Sequence, residues 1–224
     1  MARTIDLAHA VDALLRAEGR FEPGRIQASA REMIGILVSC SALYGICLGS
    51  FGWRWEQAVY SGAKLPLLLL GTAVICIPNF YVINAILGLS QDFRRALQGI
   101  LAGLATVAVC LLALAPLCML FYVSGCDYRQ AVLFNGVLFA IATWCGQITL
   151  QRHYRPLVRE NPQHRIARRV WVVLFVFVAI QMAWTLRPFV GWPEREPMFF
   201  REHGHLRNAY VVLAESIWKF LHGQ

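Results

Sequence analysis

Five uncharged apolar stretches constrain this chain more than any other feature. They cover about residues 32–52, 65–89, 99–123, 128–150 and 169–186. Each is close to the roughly 20 residues that an α-helix, rising about 1.5 Å per residue, needs to cross about 30 Å of hydrocarbon. In lipid the backbone N–H and C=O groups find no water, and a continuous apolar segment of this length satisfies them as a helix. The expected architecture is therefore all-α: a polytopic membrane helix bundle of about five transmembrane helices, with interfacial helices at the N- and C-terminal ends. Composition agrees, at 58% hydrophobic and 15% charged residues, against roughly 45–50% and about 25% in soluble domains.

The organisation expected is a cytoplasmic amphipathic segment over 1–31, a five-span domain over 32–187 and an external tail with an interfacial helix over 188–224. Residues 1–32 alternate charged and apolar types without a continuous apolar core, so no cleavable signal peptide is expected. Residues 5–17 place Ile5, Ala8, Val11, Leu14 and Leu15 near one helical face, which suits a membrane surface or a partner. Near the other terminus, Val211, Ala214, Ile217, Trp218 and Leu221 form an apolar face over 208–221, too short to cross.

Within the first span Ser41, Gly45 and Gly49 recur every fourth residue, and the third carries Gly99, Gly103 and Thr106. Small residues at this spacing let another helix approach closely. Pro78 predicts a kink in the second span, and Pro116 is a second intramembrane proline. Trp53, Trp55, Trp171, Trp184 and Trp192 fall at or near the ends of the expected spans, as an interfacial aromatic belt requires.

The net charge of +8 serves orientation here, and nucleic acid is not an expected partner. Among the four short loops, eight basic residues fall on one side and three on the other. The positive-inside rule then puts the N-terminus in the cytoplasm and, after five spans, the C-terminus outside, in what reads as a bacterial cytoplasmic membrane. The loop from Arg152 to Arg169 holds six arginines and two histidines against Glu160 alone. Arg165, Arg168 and Arg169 stand immediately before the fifth span, where guanidinium forks reach the phosphates of anionic lipid; Arg187 is a further phosphate candidate at the far boundary. The same loop also serves as a topological stop signal.

No Asp, Glu, Lys, Arg or His falls in the apolar interior of the expected spans, which disfavours a pump. The six histidines lie in the termini and the long loop, away from any haem position between helices. The neutral amides Asn79, Asn84, Asn135 and Gln181 either line a polar passage or hydrogen-bond between helices. His203 and His205 supply fewer ligands than the three or four of a dedicated zinc site, so that stretch reads as a solvated loop. Six of the seven cysteines lie inside apolar spans and read as small apolar residues, with Cys126 as the one loop thiol. No phosphate-binding loop, zinc-protease helix, nucleophile elbow or paired carboxylates occur, so neither an enzyme nor a cofactor is expected.

Five spans, the inferred orientation and the short loop over 88–98 resemble the Yip-type membrane proteins. The run Leu186-Arg187-Pro188-Phe189-Val190-Gly191 looks like a segment of uncharacterised bacterial multi-pass proteins. The resemblance covers topology over roughly residues 30–190 and implies membrane organisation or partner recruitment. The expected function is a non-enzymatic membrane subunit or scaffold, its partners the bilayer with its anionic lipids and other membrane subunits or further copies of itself. The alternative is a channel or transporter for a small or neutral solute.

The charge count makes a direct prediction. A reporter fused after Gln224 behaves as external and one inserted near Asn161 as cytoplasmic; accessibility labelling that returns the opposite pattern rejects the orientation.

Overall fold

The chain turns through five long helices: α1 (Ala30–Gly49), α2 (Trp55–Ile86), α3 (Phe93–Val123), α4 (Tyr128–Glu160) and α5 (His164–Thr185). The computed structural model describes residues 9, 11–14, 16, 30–191 and 199. All five helices are long and apolar enough to cross a bilayer, so the chain is an integral membrane protein. The expected C-terminal helix over 208–221, His203, His205 and Trp192 lie outside the described residues.

Four of the five helices extend well beyond their apolar runs. The second starts at Trp55 instead of near Leu65, the third at Phe93 instead of Gly99, and the fifth at His164 instead of Arg169; the fourth continues past Leu150 to Glu160. Hydropathy reports where lipid touches the helix, while backbone hydrogen bonding continues into the flanking polar turns. At 32 residues and about 1.5 Å each, α2 is about 48 Å long, well over the hydrocarbon thickness. Helical hydrogen bonding also resumes on both sides of Pro66, Pro78, Pro116 and Pro156. The start of α4 is fixed by a capping box, in which the Asp127 backbone N–H donates to Gln130 Oε1 at 3.0 Å.

Short connections make successive helices antiparallel. The first helix lies between α2 and α3, α3 also packs on α4, and α5 packs on α2. Gly45 and Gly49 form the α1–α2 contact: a Cβ at Gly49 would stand 2.7 Å from the Ala58 Cα, and one at Gly45 would stand 2.9 Å from the Gly62 Cα. Gly103 and Gly146 form the α3–α4 contact, where a Cβ on Gly146 would stand 2.9 Å from the Gly103 carbonyl oxygen. Gly99 meets His153 and Tyr154 of the same helix, α4. Ser41 is buried, with its hydroxyl donating to the Leu37 carbonyl at 2.6 Å. The small faces of α1 and α3 are thus closed within the chain. Small residues at Gly99, Ala102, Gly103, Ala105, Thr106 and Ala108 let α3 be enclosed on every side over 99–109.

Two expectations change. Trp171 is not an interfacial residue: it is only 3% exposed and lies edge-on to Phe80 at 5.1 Å, because α5 begins almost two turns before it. The N-terminal amphipathic segment, so far as it is described, turns its apolar side to the bundle. Leu14 is fully buried, with Val11 and Ala13 against the same core, while Asp12 and Arg16 pair at 3.0 Å on the outer side.

The glycine contacts are directly testable. Gly49→Leu forces a side chain into the α2 backbone and lowers stability in detergent by about 1–3 kcal/mol or more. Gly136→Leu serves as the control, since a Cβ there meets nothing within 4 Å. Equal melting temperatures for the two variants reject the contact.

Candidate functional site

One end of the bundle carries the 50–54 and 124–127 connections and the run that follows α5. The other carries the 87–92 and 161–163 connections. Each end, and the interior between them, holds a separate polar cluster.

At the first end α2 presents Gln57, Ser61 and Lys64, spaced four and three apart so that all lie on one helical face. All three are at most 1% exposed. They meet the backbone of the run that follows α5. Gln57 Nε2 donates to the Pro188 and Phe189 carbonyls at 3.1 and 3.3 Å, Ser61 Oγ donates to the Phe189 carbonyl, and Lys64 Nζ donates to the Pro188 carbonyl at 2.7 Å. Leu186 and Val190 are buried on either side, and Gly191 lies so close to Gln57 that a Cβ would stand 2.9 Å from its Cγ. Lys64 Nζ also lies 5.0 Å from the centre of the Phe199 ring, which packs edge-on to Tyr60 at 5.7 Å. This is a clasp: donors on one helix hold carbonyls that no longer have a helix to bond to.

Lys64 stands just outside the apolar run in which no ionisable residue was expected, yet within the helix. The apolar run starts at Leu65, but the helix starts at Trp55, so Lys64 is an interior residue of α2. Its signal in the sequence was a lysine in a chain whose cations are almost all arginine, on the same helical face as Gln57 and Ser61.

The second cluster is inside the bundle, where α1, α3 and α4 meet. Tyr44 Oη donates to Asn135 Oδ1 at 2.8 Å and Cys118 Sγ to the same oxygen at 3.2 Å. Asn135 Nδ2 donates to Tyr122 Oη and to the Ala131 carbonyl, each at 2.8 Å, and Tyr122 Oη donates to the Leu48 carbonyl at 3.1 Å. Both donors and both acceptor positions of the Asn135 amide are thereby filled. A cleft of about 230 Å³ lies beside Tyr122, lined also by Ser50, Phe51, Trp53, Met119 and Cys126. The Cys126 thiol is half-buried; partial desolvation and the Asp127 carboxylate push its pKa up against the opposing effect of a backbone hydrogen bond, away from the reactive thiolate form.

The other amides do not join Asn135. Asn79 is exposed on the outer side of α2 and Gln181 is half-buried on α5. Asn84 is buried near the opposite end of α2, where Nδ2 donates to the Phe80 carbonyl at 2.8 Å and Oδ1 is enclosed without a partner.

The third cluster is at the arginine-rich end. Arg95 makes a two-pronged pair with Glu160, at 2.7 and 2.9 Å, and a 3.1 Å contact with Asp92. Asp92 also meets His164 Nε2 at 3.3 Å. Tyr154 and His164 are fully buried, and the Tyr154 hydroxyl and His164 Nδ1 have no hydrogen-bond partner; enclosing such a group unpaired costs about 1–3 kcal/mol. Arg168 is half-buried near Tyr154, while Arg165 and Arg169 are exposed. Arg187 is a whole helix away from them, with its guanidinium 4.1 Å over the Trp184 ring. The structure therefore brings three of the four phosphate candidates together and leaves Arg187 at the clasp.

No family model matches this chain, and no curated protein or solved structure is similar to it.

The interior network predicts an asymmetry between asparagines. Asn135→Leu strands the Tyr44 and Cys118 donors and destabilises the protein by roughly 1–3 kcal/mol in detergent, whereas Asn79→Leu, on an exposed position, changes little. Thermal unfolding that shows the two to be equivalent rejects the network as a structural element.

Proposed function

We propose that this chain is a non-enzymatic scaffold or subunit of a membrane assembly, whose bundle holds the C-terminal tail at a set place on one face. The observation that carries the reading is the isolation of the polar groups. Asn135 is filled by partners from three helices, Asn84 lies near the opposite end of the bundle, and Asn79 points outward. A pore or transporter for a neutral solute needs such groups joined along one path. Here they are separate: Asn135 is interhelical glue, Asn84 bonds within its own helix and Asn79 faces outward.

The clasp supplies the second half of the argument. Three buried donors hold the backbone over 188–189, which fixes the point where the tail is attached. A rigid point of departure lowers the conformational entropy a tail loses when a partner binds it. On the arginine count, this face is external and the arginine-rich end cytoplasmic.

Two measurements on purified full-length protein test this. In liposomes it passes glycerol and urea no faster than protein-free vesicles do; solute flux abolished by Asn135→Ala favours the channel reading instead. In mild-detergent extracts from native membranes, the wild type copurifies with a defined membrane partner. Gln57→Ala, which removes two of the bonds to the 188–189 carbonyls, loses that partner while keeping its own fold.

A further inference from the structure

The 161–163 connection between α4 and α5 is too short to let the two helices separate at that corner, yet each is held by a different neighbour. α5 packs on α2, through Trp171 on Phe80 at 5.1 Å and Met182 on Gly71, whereas α4 packs on α3 through Gly146 on Gly103. Beyond the corner the helices part.

The flank of α5 beside this parting begins with Arg165 and Arg168 and continues with Val172 and Val176, at three- and four-residue spacing next to the buried stripe of His164 and Trp171. The Tyr154 ring of α4 lies edge-on to His164 at 6.5 Å, and Arg168 stands one turn after His164 on the same side of α5, which places it on the α4 side. Among the described residues no carboxylate pairs with Arg165, Arg168 or Arg169, since Glu160 is held by Arg95 and Asp92 by Arg95 and His164. Arg165 and Arg169 instead act on Arg168 as like charges. At the same corner the Tyr154 hydroxyl and His164 Nδ1 are buried without partners. Immediately beyond the arginines α5 turns Val173, Val176, Phe177 and Ile180 outward.

We propose that this corner binds one anionic phospholipid. Its phosphodiester takes the forks of Arg165 and Arg168, and Arg168, half-buried in the free protein, moves outward onto the phosphate and opens the Tyr154 hydroxyl to donate the third hydrogen bond. Its acyl chains lie along the exposed apolar side of α5. Guanidinium groups pair with two phosphate oxygens at once. Their position at the first turn of an apolar helix, with an apolar surface directly beneath, suits a phosphate that carries acyl chains over a soluble one. This site is independent of the clasp and of the scaffold reading.

Native mass spectrometry of the detergent-solubilised full-length protein, with phosphatidylglycerol and phosphatidylcholine in competition, tests it. The wild type retains one phosphatidylglycerol with roughly tenfold preference. Arg168→Gln and Tyr154→Phe each bring that preference below about threefold, and Arg94→Gln, an exposed arginine at the same end, leaves it unchanged. Melting temperatures identify any variant that fails to fold. Tyr154→Phe, which keeps the ring that packs on Gly99, decides the matter if Arg168→Gln does not fold. No preference in the wild type, or full preference in the folded Tyr154→Phe protein, overturns the proposal. Displacement of the lipid by an equal concentration of glycerol 3-phosphate overturns it too, because the corner is then a soluble-anion site.

Discussion

The close approach of α1 and α2 at Gly45 and Gly49 sets the geometry on which the rest of the structure depends. Without side chains at these positions the two backbones come into contact, with the Ala58 and Gly62 Cα atoms standing where Cβ atoms would be. Lipid gives little hydrophobic incentive for one apolar helix to leave it for another, so dispersion contacts of this kind carry much of the association. They also fix rotation. With Gly62 turned to Ala42 and Ile46, the Gln57, Ser61 and Lys64 face of α2 is directed at the run after α5. The Gly103–Gly146 contact does the same between α3 and α4, and so brings Asn135 within reach of both tyrosines.

Each polar cluster then follows from what the low dielectric demands of a buried group. Asn135 is satisfied four ways and so holds three helices in register. Lys64 is met by a carbonyl oxygen and an aromatic face, which favour an ammonium group without requiring a carboxylate. The corner at Tyr154 and His164 differs, because two polar atoms there stay unpaired beside guanidinium groups that no described carboxylate neutralises. The Asn135 amide has every position filled and the clasp leaves Gln57 Oε1 without a partner, whereas the third cluster sets two unpaired atoms beside unneutralised guanidinium groups.

The helix class and the five spans were legible in the sequence because bilayer thickness imposes a length on apolar runs that few other constraints mimic. Positions of small residues were legible for the same reason that they matter, since a four-residue repeat marks a face. Which face it meets was not legible: Ala142 and Gly146 mark a small face on α4, but nothing in the sequence pairs that face with Gly103 of α3 instead of with the Ser41, Gly45 and Gly49 face of α1. The clasp was hidden more deeply. Gln57, Ser61 and Lys64 precede the apolar run and look like loop residues, and their acceptors are main-chain carbonyls more than 120 residues away in sequence, to which composition and hydropathy are blind. Trp171 was misplaced by the same effect, an interfacial residue by hydropathy but a core residue once the helix gains its polar first turns.

That displacement of helix start from apolar start bears on how deep the clasp lies. The 20 residues of α1 span about 30 Å, so the whole of it is needed to cross the hydrocarbon. Gly62 lies against Ala42 and Ile46 of α1, well short of its end at Gly49, and Lys64 is deeper still. Any bilayer that covers α1 therefore also covers Lys64 and the carbonyls it holds. Non-helical backbone at that depth is tolerated only where protein encloses it and takes up its hydrogen bonds. The parts of 186–191 that face the bundle meet both conditions, with Leu186, Val190 and Gly191 buried and the Pro188 and Phe189 carbonyls occupied, while Arg187 is exposed over the Trp184 ring. The clasp is thus what allows α5 to stop at Thr185 while still within the membrane, and a lysine in a span is the natural donor for a chain that must turn out of its helix there.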